Sequence, residues 1–237
     1  MNRVLILAGG IGERCSGNLP KQFLKLSGKD IILHTVEKFE NSKDIDEIYI
    51  VCKSNWIEYC TELMNKNEIK KFKTCIENGS TCLGSILNGL NYLRNISSDS
   101  DLLLIHDSVR PFIDEEFIHN LIGVAEEKDN CIPICKQIET PITIENDEIK
   151  ESQDRNSAYV AKAPQVFRFG LIYDCYMKKQ ESLDDFCDSA QVALANGVRL
   201  NYINGSDQNI KITTRKDFYL ARALLNLQED NQFIKES

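Results

Sequence analysis

Histidine, proline, tryptophan and long apolar runs are scarce in this chain. Of 237 residues, 3 are His, 5 are Pro and 1 is Trp. With so few histidines, and no Cys-x-x-Cys pair among 9 cysteines, the spacing carries no zinc-ligand pattern. No apolar run approaches the roughly 18 residues of a membrane span. The opening Met1–Leu7 is broken by glycine too soon for a signal peptide, so a reducing, cytoplasmic setting with free thiols is expected. There the cysteines read as buried small hydrophobes. Positive charge is also in deficit. Lys and Arg number 28 against 36 Asp and Glu, a net charge of −8. That argues against nucleic acid and anionic membrane as partners; a polyanionic ligand would need a local cluster of cations.

What is present is an ordinary globular composition, 42% apolar and 27% charged. A chain of this length buries roughly 70–75% of its unfolded surface without staples. Val4–Ala8, Glu47–Cys52, Leu102–Ile105 and Cys131–Cys135 read as buried strands, with a weaker candidate at Lys73–Ile76. Helical spacing runs through Ile31–Phe39, Asn55–Met64, Leu83 to Leu93, Glu115–Glu126 and a tail from Thr214 to Glu229. Alternating strands and helices predict an α/β fold with a mostly parallel, helix-covered sheet. Ligands in such sheets sit at the carboxyl ends of the strands, which directs attention to the residues after Ala8, Ile76 and Ile105. Ile138–Lys150 differs: Ile142-Thr143-Ile144 and Glu148-Ile149-Lys150 flank Asn146-Asp147, the pattern of a polar-tipped hairpin. A lone hairpin is marginal in water and needs something to pack against, such as another subunit. One domain over 1–237 is expected, with an arm at about 137–156.

Three stretches carry chemistry. Leu7-Ala8-Gly9-Gly10-Ile11-Gly12-Glu13-Arg14 follows a buried strand, where glycines offer backbone N–H groups to phosphate oxygens. It is neither G-x-G-x-x-G, since Cys15 replaces the third glycine, nor a P-loop. Arg14 and Lys21 bracket the loop and suit a triphosphate; a plain glycine turn with two solvated cations competes. His106-Asp107-Ser108-Val109-Arg110-Pro111 follows the Leu102–Ile105 strand. Asp107 there is a natural Mg²⁺ ligand or a turn-initiating residue, and Arg110 can pair with it. His106 reads as a histidine satisfied by backbone. In Asn209-Ile210-Lys211-Ile212-Thr213, Lys211 alternates away from its apolar neighbours, towards a cleft or simply solvent.

Taken together these motifs resemble the cytidylyltransferases that act on polyol phosphates. The resemblance covers nearly the whole chain: LAGGIGER at 7–14, LPKQFL at 19–24, HDSVRPFI at 106–113, ET at 139–140, DRN at 154–156, PQVF at 164–167 and NIKIT at 209–213. One branch of the family makes the CDP derivative of methylerythritol 4-phosphate for isoprenoids; another makes CDP-ribitol for teichoic acids and capsules. The resemblance implies a Rossmann-like fold and a β-arm exchanged between the subunits of a homodimer. Ala8, Gly9, Gly10 and Gly12 would line the CTP site, with Gly79 and Ser85 at the cytosine. Arg14 and Lys21 would hold the triphosphate, Asp107 would bind Mg²⁺, and Lys211 would touch the α-phosphate and the incoming phosphate. Arg110, Thr140 and Arg155 would serve the polyol phosphate, the last two presented by the arm to the partner's site.

Ser108, Val109 and Gly17-Asn18-Leu19-Pro20-Lys21-Gln22-Phe23 lean towards the ribitol branch; the methylerythritol branch usually has two alanines at 108 and 109. Departures from the family are Ala163 before Pro-Gln and Cys187 before Asp188, where threonines are usual, and Asn78-Gly79 and Cys82 in place of a glycine pair and an arginine. A nicotinamide oxidoreductase lacks support: the third glycine is absent, and the one Tyr-x-x-x-Lys match, Tyr49 with Lys53, falls on a predicted strand. A catalytically silent binding module would not keep Arg14, Lys21, Asp107 and Lys211 together. A sugar-1-phosphate nucleotidyltransferase, which would also begin with a glycine loop, does not resemble the DRN and NIKIT stretches.

Overall fold

The four apolar runs become strands of one sheet because each can bury both of its faces only inside a sheet covered on both sides. The computed structural model describes residues 1–10 and 19–235. In chain order its elements begin with β1 (Asn2–Ala8), the short pair β2 (Lys25–Leu26) and β3 (Lys29–Asp30), and α1 (Ile31–Glu40). There follow β4 (Glu47–Cys52), α2 (Ile57–Lys66), β5 (Phe72–Glu77), α3 (Cys82–Leu93), β6 (Leu102–Asp107), α4 (Glu115–Lys128) and β7 (Asn130–Lys136). The last third holds β8 (Ile142–Glu145), β9 (Glu148–Ser152), β10 (Tyr159–Ala161), β11 (Gln165–Arg168), α5 (Phe169–Lys178), α6 (Ser189–Leu194), β12 (Tyr202–Asn204) and α7 (Arg215–Lys235).

The main sheet runs β10-β7-β11-β6-β1-β4-β5, with β12 beside β7. β5, β4, β1 and β6 are mutually parallel, whereas β11 is inserted antiparallel between β6 and β7. β11 was not anticipated. It has only four residues, three of them buried, directly after Pro164, too short a run to signal a strand. Alternate residues of β1 feed opposite faces. Val4 and Ile6 pack with Ile48, Ile50 and Leu104 beneath α1, α2 and α4. Leu5 packs with Val51, Leu103 and Ile105 beneath α3 and α5. Each such fully buried Leu, Ile or Val contributes about 1.5–3 kcal/mol. A third cluster, Leu26, Ile31, Val109, Phe112, Ile212 and Ala221, docks α7.

Caps set where the helices start. Asp114 accepts from Phe117 N–H at 2.8 Å ahead of α4, and Thr81 accepts from Gly84 N–H at 3.0 Å ahead of α3. β8 and β9 form the hairpin expected from the pattern, joined through Asn146 and Asp147 with φ of 52° and 64°. All of its strand residues are exposed. No helix among the described residues is long and apolar enough to cross a membrane.

Two expectations need correction. Lys211 lies in irregular backbone rather than a strand; Ile212 N–H to the Val109 carbonyl at 3.0 Å holds that segment instead. Nor are all the cysteines buried. Cys52, Cys60, Cys131, Cys135 and Cys175 are, Cys75 is half-buried, and Cys82 and Cys187 are exposed because Cys82 opens α3 and Cys187 lies in the loop before α6, both beside a cleft; Cys15 lies outside the described residues.

Candidate active site

The carboxyl ends of β1, β4, β5 and β6 open onto a cavity of about 500 Å³. Gly9 and Gly10 form one wall, and Asn78, Gly79, Ser80 and Thr81 another. Glycine fits where these walls meet, tightly at Gly9 and by necessity at Gly79. A Cβ on Gly9 would lie 3.1 Å from the Cβ of Asn78, and one on Gly79 would lie 2.5 Å from the backbone carbon of Gly84. Thr81 caps α3 here, so the N-terminal end of that helix faces the cavity, a favourable place for anionic groups.

The charges are arranged for a polyanion. Lys21, Lys53 and Lys211 line the cavity with Asp107, a local cationic surplus in a chain of net charge −8. Asp107, at the end of β6, accepts from Lys211 Nζ on one oxygen and from Arg110 Nε on the other, each at 2.7 Å. Burial opposes its charge, but the Lys211 ammonium and Arg110 guanidinium outweigh that and hold the carboxyl down at about 2. Arg110 also donates to the Asn209 carbonyl at 3.0 Å. Buried Asn209 in turn donates from Nδ2 to the Ala163 carbonyl at 2.7 Å, tying the Lys211 segment to the chain before β11.

His106 is fully buried, and its Nε2 donates to the Arg110 carbonyl at 3.0 Å. Burial pushes its pKa down to about 4, leaving it neutral at pH 7. Its Nε2 is satisfied by backbone, as expected from the sequence, while its buried Nδ1 has no hydrogen-bond partner among the described residues. A second cavity of about 130 Å³ adjoins the first and shares Asp107, Lys211 and Cys82 with it. Its other walls include Arg110, Lys162, Ala163, Cys187 and Asp188.

The structure thus gathers Gly9, Gly10, Lys21, Gly79, Ser85, Asp107 and Lys211 around one cavity and Arg110 around its neighbour. Gly12 and Arg14 lie outside the described residues. Ala8 does not line either cavity; its side chain is in the core, and its carbonyl accepts from Gln22 Nε2. The Ser85 hydroxyl accepts from Gly79 N–H at 3.1 Å and donates to the Thr81 carbonyl at 2.7 Å, so it knits the loop it lines. Thr140 and Arg155 are exposed on the arm and line neither cavity of their own chain. Sequence reasoning missed Lys53 and Gln22. Lys53 directly follows β4, so the rule that led to the ends of β1 and β6 points to it equally.

The family model described as IspD, 2-C-methyl-D-erythritol 4-phosphate cytidylyltransferase, matches residues 3–227. A ribitol-5-phosphate cytidylyltransferase from Vibrio parahaemolyticus is 37% identical over 235 residues, covering 98% of this chain and 99% of its own length. A 2-C-methyl-D-erythritol 4-phosphate cytidylyltransferase from Thermosipho africanus is 36% identical over 217 residues, 91% of this chain and 94% of its own. Among solved structures, 4-diphosphocytidyl-2C-methyl-D-erythritol synthase from Anaerococcus prevotii is similar at a TM-score of 0.82 and 25% identity, covering 95% of this chain and 96% of that one.

Proposed function

The chain belongs to the IspD family of cytidylyltransferases, and from that premise we propose that it joins CTP to D-ribitol 5-phosphate, giving CDP-ribitol and pyrophosphate. The observation that carries the reading is the pair of adjoining cavities sharing Lys211 and Asp107. One cavity takes the nucleotide, the other the polyol phosphate, and the shared lysine stands where the two anions meet.

The nucleophile is a phosphate monoester oxygen, already largely dianionic at pH 7 because its second pKa is near 6. It attacks the α-phosphorus of CTP as the bond to the pyrophosphate oxygen breaks. No general base is needed, which matches a site whose one histidine is buried and neutral. What the chain must supply is alignment of two repelling anions and stabilisation of charge at the α-phosphorus. Lys21 and Lys53 neutralise the triphosphate, while the Gly9 and Gly10 backbone admits it closely; the family resemblance adds Arg14 and Gly12 to these two tasks. Lys211 neutralises both reacting phosphates. Asp107 and Arg110 fix its ammonium in place. Gly79 and Ser85 shape the wall for the base.

Magnesium is the cofactor assigned. Mg²⁺ is held by one or two carboxylates with substrate phosphates and water, and Asp107 fits. Its carboxylate is ionised, partly exposed and at the cavity edge. Asp107 would hold the ion with the phosphate oxygens, and the ion would offset triphosphate charge.

The arm completes the second cavity in a homodimer, with Thr140 and Arg155 reaching the partner's polyol phosphate. Support comes from its exposed apolar side chains Ile142, Ile144 and Ile149. A cytoplasmic location follows from the nucleotide co-substrate.

The ribitol assignment rests on the names of relatives 35–37% identical over 98% of this chain. The family description and the Thermosipho relative favour methylerythritol 4-phosphate as the alternative. Pyrophosphate release with CTP and Mg²⁺, comparing the two polyol phosphates in parallel, decides. Preference for ribitol 5-phosphate is expected. Preference for methylerythritol 4-phosphate would transfer the chain to the isoprenoid branch.

A further inference from the structure

Behind the Lys53 side of the larger cavity, three cysteine sulfurs converge. Cys52 ends β4, Cys75 lies on the neighbouring strand β5, and Cys60 is on α2, which covers both. Ile50 pairs with Cys75 and Cys52 with Glu77, so Cys52 and Cys75 stand two positions apart on the same sheet face. Cys60 and Met64, one helical turn apart, point from α2 into that face. The three sulfurs lie within 4.8 Å of one another. Their separations along the chain, eight and fifteen residues, match no zinc-ligand spacing, so only the fold brings them together.

We propose that Cys52, Cys60 and Cys75 form a trithiolate site for a thiophilic divalent cation of the zinc class, tying α2 to β4 and β5.

The donor set selects the ion. Three thiols without a carboxylate or imidazole suit a soft or borderline cation and discriminate against Mg²⁺ and Ca²⁺. Zn–S bonds of about 2.3 Å put tetrahedral sulfurs about 3.8 Å apart, so small side-chain rotations close the site. Cys52 and Cys60 are fully buried, but Cys75 sits on the edge strand and is half-buried, which gives an entry path. The Thr61 hydroxyl lies beside Cys75, and it or a water supplies the neutral fourth ligand. The balance is simple. Three S–H bonds break, three metal–sulfur bonds form, three protons leave to water, and no electron moves. The site passes from neutral to a single negative charge.

Such an ion would steady the nucleotide site from behind. Asn78 N–H bonds the Cys52 carbonyl at 2.9 Å, and Lys53 is the next residue. At the start of the same helix segment, Trp56 and Tyr59 pack on Phe23, 5.2 and 5.0 Å between ring centroids, two residues from Lys21.

The test uses the full chain, reduced, freed of metal with a chelator and titrated anaerobically with Co²⁺ and then Zn²⁺. A sulfur-to-cobalt charge-transfer band with the visible bands of a tetrahedral ion is expected, bleached by equimolar Zn²⁺. It should persist in a Cys82→Ser/Cys187→Ser double variant, which removes the exposed thiols among the described residues, and vanish in Cys75→Ser. Cys75 is the least buried of the three, so that variant is the one best able to fold; circular dichroism of the metal-free protein checks this. Thermal denaturation of the unmutated chain is the second readout. Zinc at a hundredfold excess over its Kd raises the folded-to-unfolded ratio about 100-fold. No band in the unmutated chain, a band lost with Cys82 and Cys187, or a band retained in Cys75→Ser overturns the proposal.

Discussion

The end of β6 and the β8–β9 arm answer the problem of unmet groups in opposite ways. At the end of β6, Asp107 meets Lys211 and Arg110, Arg110 meets Asn209, and Asn209 meets Ala163, all in one chain. The network is closed in charge, each of its charged groups having an opposite charge beside it, although the buried Asn209 Oδ1 has no partner among the described residues. The arm is open. Its strands bond only each other, and Ile138, Ile144 and Ile149 are each more than 60% exposed. A two-stranded ribbon with that much bare apolar surface has too little burial to define its own position. The contrast sets a charged network that one chain assembles by itself against an exposed ribbon that the proposed dimer would cover.

The largest effects should fall on the closed half. Lys21→Ala or Lys211→Ala should each lower kcat by roughly 10²–10³, the size of one preorganised electrostatic donor, without loss of fold. Pyrophosphate release at saturating substrates reads this, and near-normal turnover in either variant would break the assignment. On the open half, Arg155→Ala should raise KM for the polyol phosphate by roughly tenfold, one lost charged contact, and leave KM for CTP alone. Equal changes in both constants would remove the arm from polyol binding. If the halves come from different chains, equimolar mixing of Lys21→Ala with Arg155→Ala, assayed at polyol phosphate well below its KM, should restore about a quarter of normal activity, since half the dimers carry one intact site. Failure to complement after subunit exchange would place both halves in one chain. Ile144→Asp should convert dimer to monomer in sedimentation while the melting temperature of the main sheet barely moves.

How much of this was legible depends on whether a feature is local. β1 and β6 are continuous apolar runs, so their burial and the loops they aim at Gly9, Gly10 and Asp107 could be read directly. The Asp107–Arg110 pair is three residues apart and was anticipated for that reason. The hairpin announced itself through Asn146-Asp147 between alternating segments. β11 did not, because a four-residue strand's identity is decided by β6 and β7 on either side of it. That Lys211 meets Asp107 across 104 positions of chain could not come from spacing, and the alternation expected around it presumed a strand that its irregular backbone does not form. The roles of Thr140 and Arg155 came from resemblance alone. The Cys52, Cys60 and Cys75 cluster was invisible, since β4, α2 and β5 each contribute a single sulfur.

The smallest expected effect concerns pH, and it separates substrate from protein. Asp107 is held at about 2 and His106 at about 4, so neither changes charge between pH 5 and 9. The acid limb of kcat/KM for the polyol phosphate should therefore follow the substrate's own second ionisation, near 6. A phosphonate analogue with a higher second pKa should carry the limb upward with it; a limb that stays fixed would mean an enzyme group governs it. Stability should respond differently. His106 has a folded pKa below its ordinary 6.5, so the unfolded chain takes up a proton first. Its contribution is intact above about 6.5 and is lost progressively as pH falls towards 4. Asp107, lowered from 3.8, keeps its ion-pair contribution above about 4 and loses it only towards pH 2. The melting temperature should thus begin to fall near pH 6.5, with a second decline below 4. The phosphonate should move the activity limb and leave both declines where they are.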